Sequence, residues 1–273
     1  MNSIQISIEA SEEQQEILIS QLEDLEATGF EQTQAALIAY FPENNFNSYE
    51  VTRLLQGYAF RISTIEEQNW NRVWESNFQP VVVGDFCAIR ADFHPPISSV
   101  RHEIIITPKM SFGTGHHATT FMMMEQMKGL DFSNKTVFDF GTGTGILAIL
   151  AEMLGAASVL AIDVDEWSAV NAKENIEKNK CAAIEVRLSS LLPSQQFDVI
   201  LANINRNVIL QYLPELQTKV NENGMLLLSG LMSGDEKDIL EACSKYHFDL
   251  VNKTERNNWI SLLLTKKKEK GLN

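Results

Sequence analysis

The chain has 273 residues, of which 44% are hydrophobic and 21% charged; these are ordinary globular values with room for one large domain or two unequal ones. No apolar run approaches the roughly 18 residues that span a bilayer. The N-terminus, MNSIQISIEASEEQQ, has neither a basic region nor an apolar signal core, so a cytoplasmic protein with no membrane association is expected. Cys87, Cys181 and Cys243 lie far apart and in no metal-ligand spacing, which fits reduced thiols and no metal.

Net charge is −14, unevenly spread: residues 1–66 hold eleven acidic and two basic side chains, hence −9. Such a surface repels nucleic-acid phosphates and attracts basic partners, so direct nucleic-acid binding is not expected.

Residues 3–9, SIQISIE, alternate polar and apolar as a half-buried strand does. Ser11 and Gln14 form a capping box opening a helix that runs to about Thr28, where Gly29 is expected to stop it. FEQTQAALIAYF reads as one long strand or a tight hairpin, FNSYEVTRLLQGY as a short helix and AFRISTI as a returning strand. The order strand–helix–strand–strand–helix–strand predicts a small ferredoxin-like α+β sandwich over residues 1–65. EEQNWNRVWESNF, with Trp70 and Trp74 one turn apart and Pro80 ending it, predicts a linker helix within 66–80.

From residue 81 the pattern changes. VVVGDFCAIRADF and HEIIITP are strand-like; then β-branched apolar runs (TVFDF, SVLAID, AIEVRLS, FDVILANI, GMLLLSG) alternate with amphipathic helices. That alternation predicts an α/β domain over 81–273 with a parallel sheet covered on both faces. FDLVNKTERN and WISLLLTKK close the chain as a hairpin adding an antiparallel strand at the sheet edge, and KKKEKGLN is expected to be a disordered tail.

Four letters occur twice. In TVFDFGTGTGILAIL, Gly141, Gly143 and Gly145 link a strand to a helix, so the backbone can approach a ligand and the helix aims free N–H groups at it. Asp163 ends the next strand, where an acid accepts both hydroxyls of an adenosine ribose. A dinucleotide fingerprint would need glycine at 146, which is Ile146, and Asp139 before the loop would repel a pyrophosphate while favouring a ligand's positive charge. D-x-G-x-G-x-G followed by that second acid resembles the class I S-adenosylmethionine-dependent methyltransferases, and implies their Rossmann-like sheet.

The other FGTG lies in MSFGTGHHATT, residues 110–120. TPKMS before it is no strand, so it is not a repeat; no lysine follows Gly115, so it is not a P-loop. His116 and His117 are adjacent, with no further ligand at regular spacing, which argues against metal. What remains is a glycine turn feeding the helix HATTFMMMEQMKGL, with its methionines as core packing and Thr119 or Thr120 able to cap it or to bond a ligand.

MSFGTGHHATT followed by FDFGTGTG, AIDVD and LANI resembles the bacterial ribosomal protein L-eleven methyltransferases, and NWNRVWESNFQPVVVG is similar to that family's linker region. The resemblance covers residues 66–264 by motif and the acidic N-terminal part by position. It implies S-adenosylmethionine as methyl donor and a ribosomal protein of the large subunit as substrate. The expected modification is of lysine side chains and the N-terminal amine, up to trimethylation. It implies a segment around FGTG-H-x-TT that closes over the cofactor, and cofactor contacts at Thr120, Gly141, Asp163 and Asn203; Asp139, Gly143 and Gly145 are added from the loop itself. A monomer is expected, with the −9 region as the substrate-recognition domain.

Asn203 follows the buried strand FDVILA at the sheet edge where α/β ligands bind, and its side-chain carbonyl is the candidate catalytic acceptor for the substrate amine. Many amine methyltransferases carry Asn-Pro-Pro-aromatic at this point; NINRN here predicts a looser site, suited to an amine that must turn between methylations. Two alternatives stand beside this reading: a methyltransferase of another amine (protein, small molecule or RNA) and, disfavoured by Ile146, a nicotinamide-dependent oxidoreductase.

Overall fold

The computed structural model describes residues 3–33, 35–65, 78–108 and 114–267. The expected linker helix with Trp70 and Trp74, the Phe112–Gly113 half of the first FGTG run and the charged tail lie outside the described residues. The chain divides into two compact units, Met1–Asn77 and Phe78–Asn273.

In the first unit, β1 (Ser3–Glu9) buries Ile4, Ile6 and Ile8 on one face, as its alternation requires. Its neighbours β3 (Ala36–Pro42) and β4 (Phe60–Ile65) and the short β2 (Gly29–Gln32) complete a sheet of order β2-β3-β1-β4, antiparallel at every pairing. With α1 (Glu12–Glu23) and α2 (Ser48–Leu54) between strands, the path is β-α-β-β-α-β. Leu18 and Leu22 of α1 and Val51 of α2 join those isoleucines, Leu37 and Phe41 in one core. Helix α1 ends earlier than the sequence suggests. Glu26 takes the left-handed conformation at φ 68°, and the Ala27 N–H bonds the Leu22 carbonyl at 3.0 Å, the closure usually given to glycine. Gly29 instead opens β2, so FEQTQAALIAYF is a hairpin.

The second unit holds two sheets. The small one joins β5 (Val81–Val83), β6 (Cys87–Ala91) and β7 (His102–Ile106), with β6 and β7 parallel. The large one contains β8 (Thr136–Phe140), β9 (Ser158–Asp163), β10 (Ile184–Leu188), β11 (Phe197–Asn203), β12 (Val220–Met232), β13 (Phe248–Arg256) and β14 (Trp259–Lys266) in the order β10-β9-β8-β11-β12-β14-β13. The first five run parallel. The closing hairpin supplies the antiparallel strand, but one place in from the edge: β14 pairs with β12 and leaves β13 outermost. The residue types explain this. Ile260, Leu262 and Leu264 are fully buried while Leu250 and Val251 are exposed, so the apolar strand goes inside and the polar one meets solvent.

Helices α3 (Ala118–Met127), α4 (Ile146–Met153), α5 (Glu166–Lys178), α6 (Arg206–Lys219) and α7 (Glu236–Lys245) lie in this unit. The methionines of α3, Met122, Met123, Met124 and Met127, are buried core residues. Helix α5 bonds the small sheet through side-chain amides one turn apart. Asn175 accepts from the Thr107 N–H at 2.8 Å and donates to the Thr144 carbonyl at 2.8 Å. Asn179 accepts from the Ile105 N–H at 2.9 Å and donates back to its carbonyl at 2.7 Å. These amides satisfy backbone groups that an edge strand would otherwise leave bare, and fix the small sheet beside the glycine loop. Among the described residues no helix is long and apolar enough to cross a membrane.

Candidate active site

Parallel pairing brings the C-terminal ends of β8, β9 and β11 side by side, so Phe140, Asp163 and Asn203 stand along one sheet edge. The glycine turn leaves β8 here. Gly141, Gly143 and Gly145 all have positive φ, 76°, 56° and 81°, a conformation that side chains other than glycine's adopt only with strain. Gly145 is the N-cap of α4, and a Cβ there would lie 3.2 Å from the Ala172 Cβ of α5. The turn is tied down by Asp163, whose Oδ2 accepts the Gly143 N–H at 2.8 Å and whose Oδ1 accepts the Asp165 N–H at 3.0 Å. Each oxygen keeps a second lone pair for a ligand hydroxyl.

A cavity of about 450 Å³ opens at this edge, lined by Phe140, Gly141, Gly143, Ile162, Asp163, Val164 and Asn203 and, from later elements, by Ser189, Ile204, Val208 and Tyr212 among others. Its size is that of a small-molecule site. A second space of about 20 Å³, room for one water-sized group, lies between Thr120, the glycine turn and Asn203. The structure therefore brings Thr120, Gly141, Gly143 and Asn203 together, with Asp163 on the wall of the larger cavity.

Asp139 sits elsewhere than a direct ligand contact would require. It is 1% exposed and lines neither cavity; its Oδ2 accepts the Thr142 hydroxyl at 2.6 Å beneath the turn. Burial pushes this carboxyl up to about 7, against the downward pull of the Thr142 hydroxyl and with a smaller upward contribution from the Asp163 charge. The folded chain thus holds this proton between pH ~4 and ~7 where the unfolded chain has released it, and stability falls as pH rises through that window. In the ligand-free protein, the stability difference between wild type and Asp139→Asn should shift against wild type by on the order of 4 kcal/mol from pH 4 to pH 7 and then level off. Urea denaturation at a series of pH values measures it; a flat difference contradicts the buried, protonated carboxyl.

The first FGTG run ends in a different arrangement from the second. Gly115, at φ 90°, leaves no room for a Cβ, which would fall 2.3 Å from Ile89 Cδ1 of β6. The His116 ring bonds the Gln79 carbonyl at 2.8 Å. Neither threonine caps α3: the cap is His117, whose Nδ1 accepts the Thr119 N–H at 3.4 Å. Thr120 is 1% exposed, and its Oγ1 accepts the Asn203 Nδ2–H at 3.0 Å. Among the described residues the Oδ1 of Asn203 is buried without a partner, and an acceptor left so costs roughly 1–3 kcal/mol.

The segment after Asn203 is held firmly despite its lack of prolines. Ile204 is gripped between two glycines: a Cβ on Gly141 would meet its Cγ2 at 2.5 Å, and one on Gly230 its backbone oxygen at 2.2 Å. Arg206, the first residue of α6, reaches Asp235 at 3.3 Å and Asp238 at 2.6 Å. Asn205 caps α6 by accepting the Val208 N–H at 3.1 Å. Where the prolines are missing, packing around Ile204 and the Arg206 ion pairs contact the segment instead. Ile204, Val208, Tyr212, Gly230 and Arg206 carry no local motif; only the proximity of Ile204 and Arg206 to Asn203 in the chain hinted at them. Among the described residues no group of His, Cys, Asp and Glu could hold a metal.

Comparison with known proteins places this geometry. The family model described as Ribosomal protein L11 methyltransferase (PrmA) matches residues 1–267. The protein named ribosomal protein L11 methyltransferase in Porphyromonas gingivalis is 38% identical over 261 residues, covering 92% of this chain and 90% of that protein. Its counterpart in Chlorobaculum tepidum is 34% identical over 282 residues, covering 97% of each. The crystal structure of ribosomal protein L11 methylase from Lactobacillus delbrueckii subsp. bulgaricus superposes with a TM-score of 0.65 at 32% identity, covering 70% of this chain and all of that one. With the family model spanning both units and curated relatives above 30% identity along nearly their whole length, this chain belongs to the ribosomal protein L11 methyltransferase family.

Proposed function

We propose that this chain moves methyl groups from S-adenosylmethionine to amines of ribosomal protein L11, both lysine side chains and the N-terminal amine. The observation that carries the reading is the buried, unpartnered Oδ1 of Asn203, beside a glycine cradle in a chain of this family. S-adenosylmethionine is the methyl donor, and the residues present fit it. Asp163 would hold the ribose hydroxyls, the apolar wall of Phe140, Ile162 and Val164 would take the flat adenine, and Gly141 and Gly143 would let the backbone approach, whereas Gly145 packs on Ala172 and lines neither cavity. Asp139 would act from beneath the turn, and Thr120 and Asn203 close the small space beside it. When bound, the donor supplies a methyl group already activated on a sulfonium.

The chain's own task is therefore to prepare and aim an amine. A lysine with pKa near 10.4 costs ~4.6 kcal/mol to deprotonate at pH 7. A desolvated site beside a positive charge lowers that cost, because both favour the neutral amine. The carboxamide oxygen of Asn203 accepts one N–H of that amine and turns its lone pair toward the methyl, and positioning of this kind supplies much of the acceleration. A neutral dimethylated nitrogen already has no N–H to give, so this hold acts in the first two transfers only.

The acidic first unit, residues 1–65 with 66–80 as linker, is proposed to hold the basic ribosomal protein while its amines enter in turn. With labelled donor and purified L11, the full chain should label the protein. Deleting residues 1–65 should abolish that labelling yet leave S-adenosylhomocysteine affinity, measured by calorimetry, unchanged. Undiminished labelling by the shortened chain rules out the recognition role.

A further inference from the structure

We propose that Asn175 of α5 is a positioning residue for donor binding: by holding the Thr144 carbonyl, it sets the shape of the glycine cradle before the ligand arrives. This rests on the reading of that cradle as the donor's seat. Asn175 lines neither cavity, so its effect on a ligand passes through the backbone it bonds. A turn built on Gly141, Gly143 and Gly145 has many conformations when unrestrained, and they must be given up for a ligand to seat. A bond that removes them beforehand raises affinity without touching the ligand.

The peptide unit between Thr144 and Gly145 is held at both ends. Its carbonyl precedes the N-cap of α4 and so has no place in the helical ladder; it accepts the Asn175 Nδ2–H at 2.8 Å. Its N–H, on Gly145, donates to the Thr142 carbonyl at 2.9 Å. Asn175 is 0% exposed, and its Oδ1 accepts the Thr107 N–H at 2.8 Å. A backbone N–H only donates and a carbonyl only accepts, so these two partners fix which end of the carboxamide faces the turn. Ala172, one turn earlier on α5, packs at the same place, 3.2 Å from where a Cβ on Gly145 would stand. Asn179 supplies the contrast. It bonds Ile105 through both ends of its amide, at 2.9 and 2.7 Å, and the Asn175 carbonyl at 2.7 Å. Among the described residues it bonds no part of the glycine turn.

The test compares Asn175→Ala with Asn179→Ala. Each removes an amide that ties α5 to the small sheet, and only the first also frees the cradle. Both should unfold at a lower urea midpoint than wild type. Calorimetric titration with S-adenosylhomocysteine should give a Kd about tenfold weaker for Asn175→Ala, the factor one ordinary hydrogen bond commands, and within about twofold of wild type for Asn179→Ala. At saturating S-adenosylmethionine the single-turnover rate on L11 should stay within about twofold for both, because the seated donor orders a cradle that the missing bond left loose. A merely structural role gives equal Kd changes in the two variants, or none in either, and each of those results overturns the proposal. Matched losses of affinity and saturated rate in Asn175→Ala overturn it as well, since pre-organisation acts on binding alone. If Asn175→Ala does not fold, wild-type protein decides. Exchange of the Asn175 side-chain amide, followed by NMR, should be as slow before S-adenosylhomocysteine is added as after; protection that comes only with the ligand overturns the proposal. Wild-type protein that binds no S-adenosylhomocysteine overturns the donor seat itself, and this proposal with it.

Discussion

Replacing Asn203 with alanine is expected to slow turnover about a hundredfold or more while changing cofactor affinity by less than about threefold. The asymmetry follows from what the side chain does in the folded chain. Its Nδ2 is already spent on Thr120, and its Oδ1 is buried with nothing to accept. An acceptor kept in that condition costs stability, and deleting it removes the cost. The deletion also strands the buried Thr120 hydroxyl, so the Asn203→Ala protein should lie within about 1 kcal/mol of wild type in stability, although catalytically crippled. Single-turnover kinetics, S-adenosylhomocysteine titration and urea denaturation together read the three quantities. Equal losses in rate and affinity would make Asn203 a cofactor ligand and leave the amine without its acceptor.

The second large effect is expected at Gly230, more than twenty residues from Asn203 in the chain. Gly230 has φ 81°, and a Cβ on it would lie 2.2 Å from the Ile204 oxygen, 2.7 Å from its carbonyl carbon and 3.0 Å from its nitrogen. These are backbone atoms, so no side-chain rotation relieves the clash. Ile204 cannot retreat either, because on its other side Gly141 leaves space only for its own hydrogen. Gly230→Ala therefore combines left-handed strain with overpacking, and should destabilise the protein by about 3 kcal/mol and cost about a hundredfold or more in turnover. Denaturant melts and the same single-turnover assay check both. A stable, active Gly230→Ala protein would show that the clamp on Ile204 does not hold Asn203 in place.

The contrast between these two residues shows how far the sequence could be read. The position of Asn203 at the sheet edge was legible because a local feature, the buried strand FDVILA, delivers it there. The strand–glycine–helix unit and Asp163 were legible for the same reason. Gly230, Arg206 and Tyr212 were not, because their partners come from other elements. The Ile204 slot is built by Gly141 in the turn after β8 and Gly230 on β12, and the Arg206 clamp by acids at the start of α7. The parallel pairing of β6 with β7 was hidden likewise, and so was the asparagine stripe of α5, which reads as an ordinary polar helix face until Ile105 and Thr107 lie against it. Short-range chemistry also misled in places. Glu26 took the left-handed position expected of Gly29, and the histidine before the threonines became the cap of α3.

Asp139 marks a subtler limit. Its spacing before the glycines predicts an acid near a ligand's positive charge, and the Thr142 hydroxyl holds it underneath the turn. In the structure Asp139 contacts the turn and lines neither cavity.

Methyl transfer to protein amines is decided by mass mapping of the acceptor. A ribosomal lysate incubated with labelled S-adenosylmethionine and the full chain, with and without nuclease, should yield one labelled protein, L11, unaffected by nuclease. Its label should lie on lysine side chains and the N-terminal nitrogen. Label that vanishes with nuclease, or that maps to oxygen, carbon or another protein, would contradict the account.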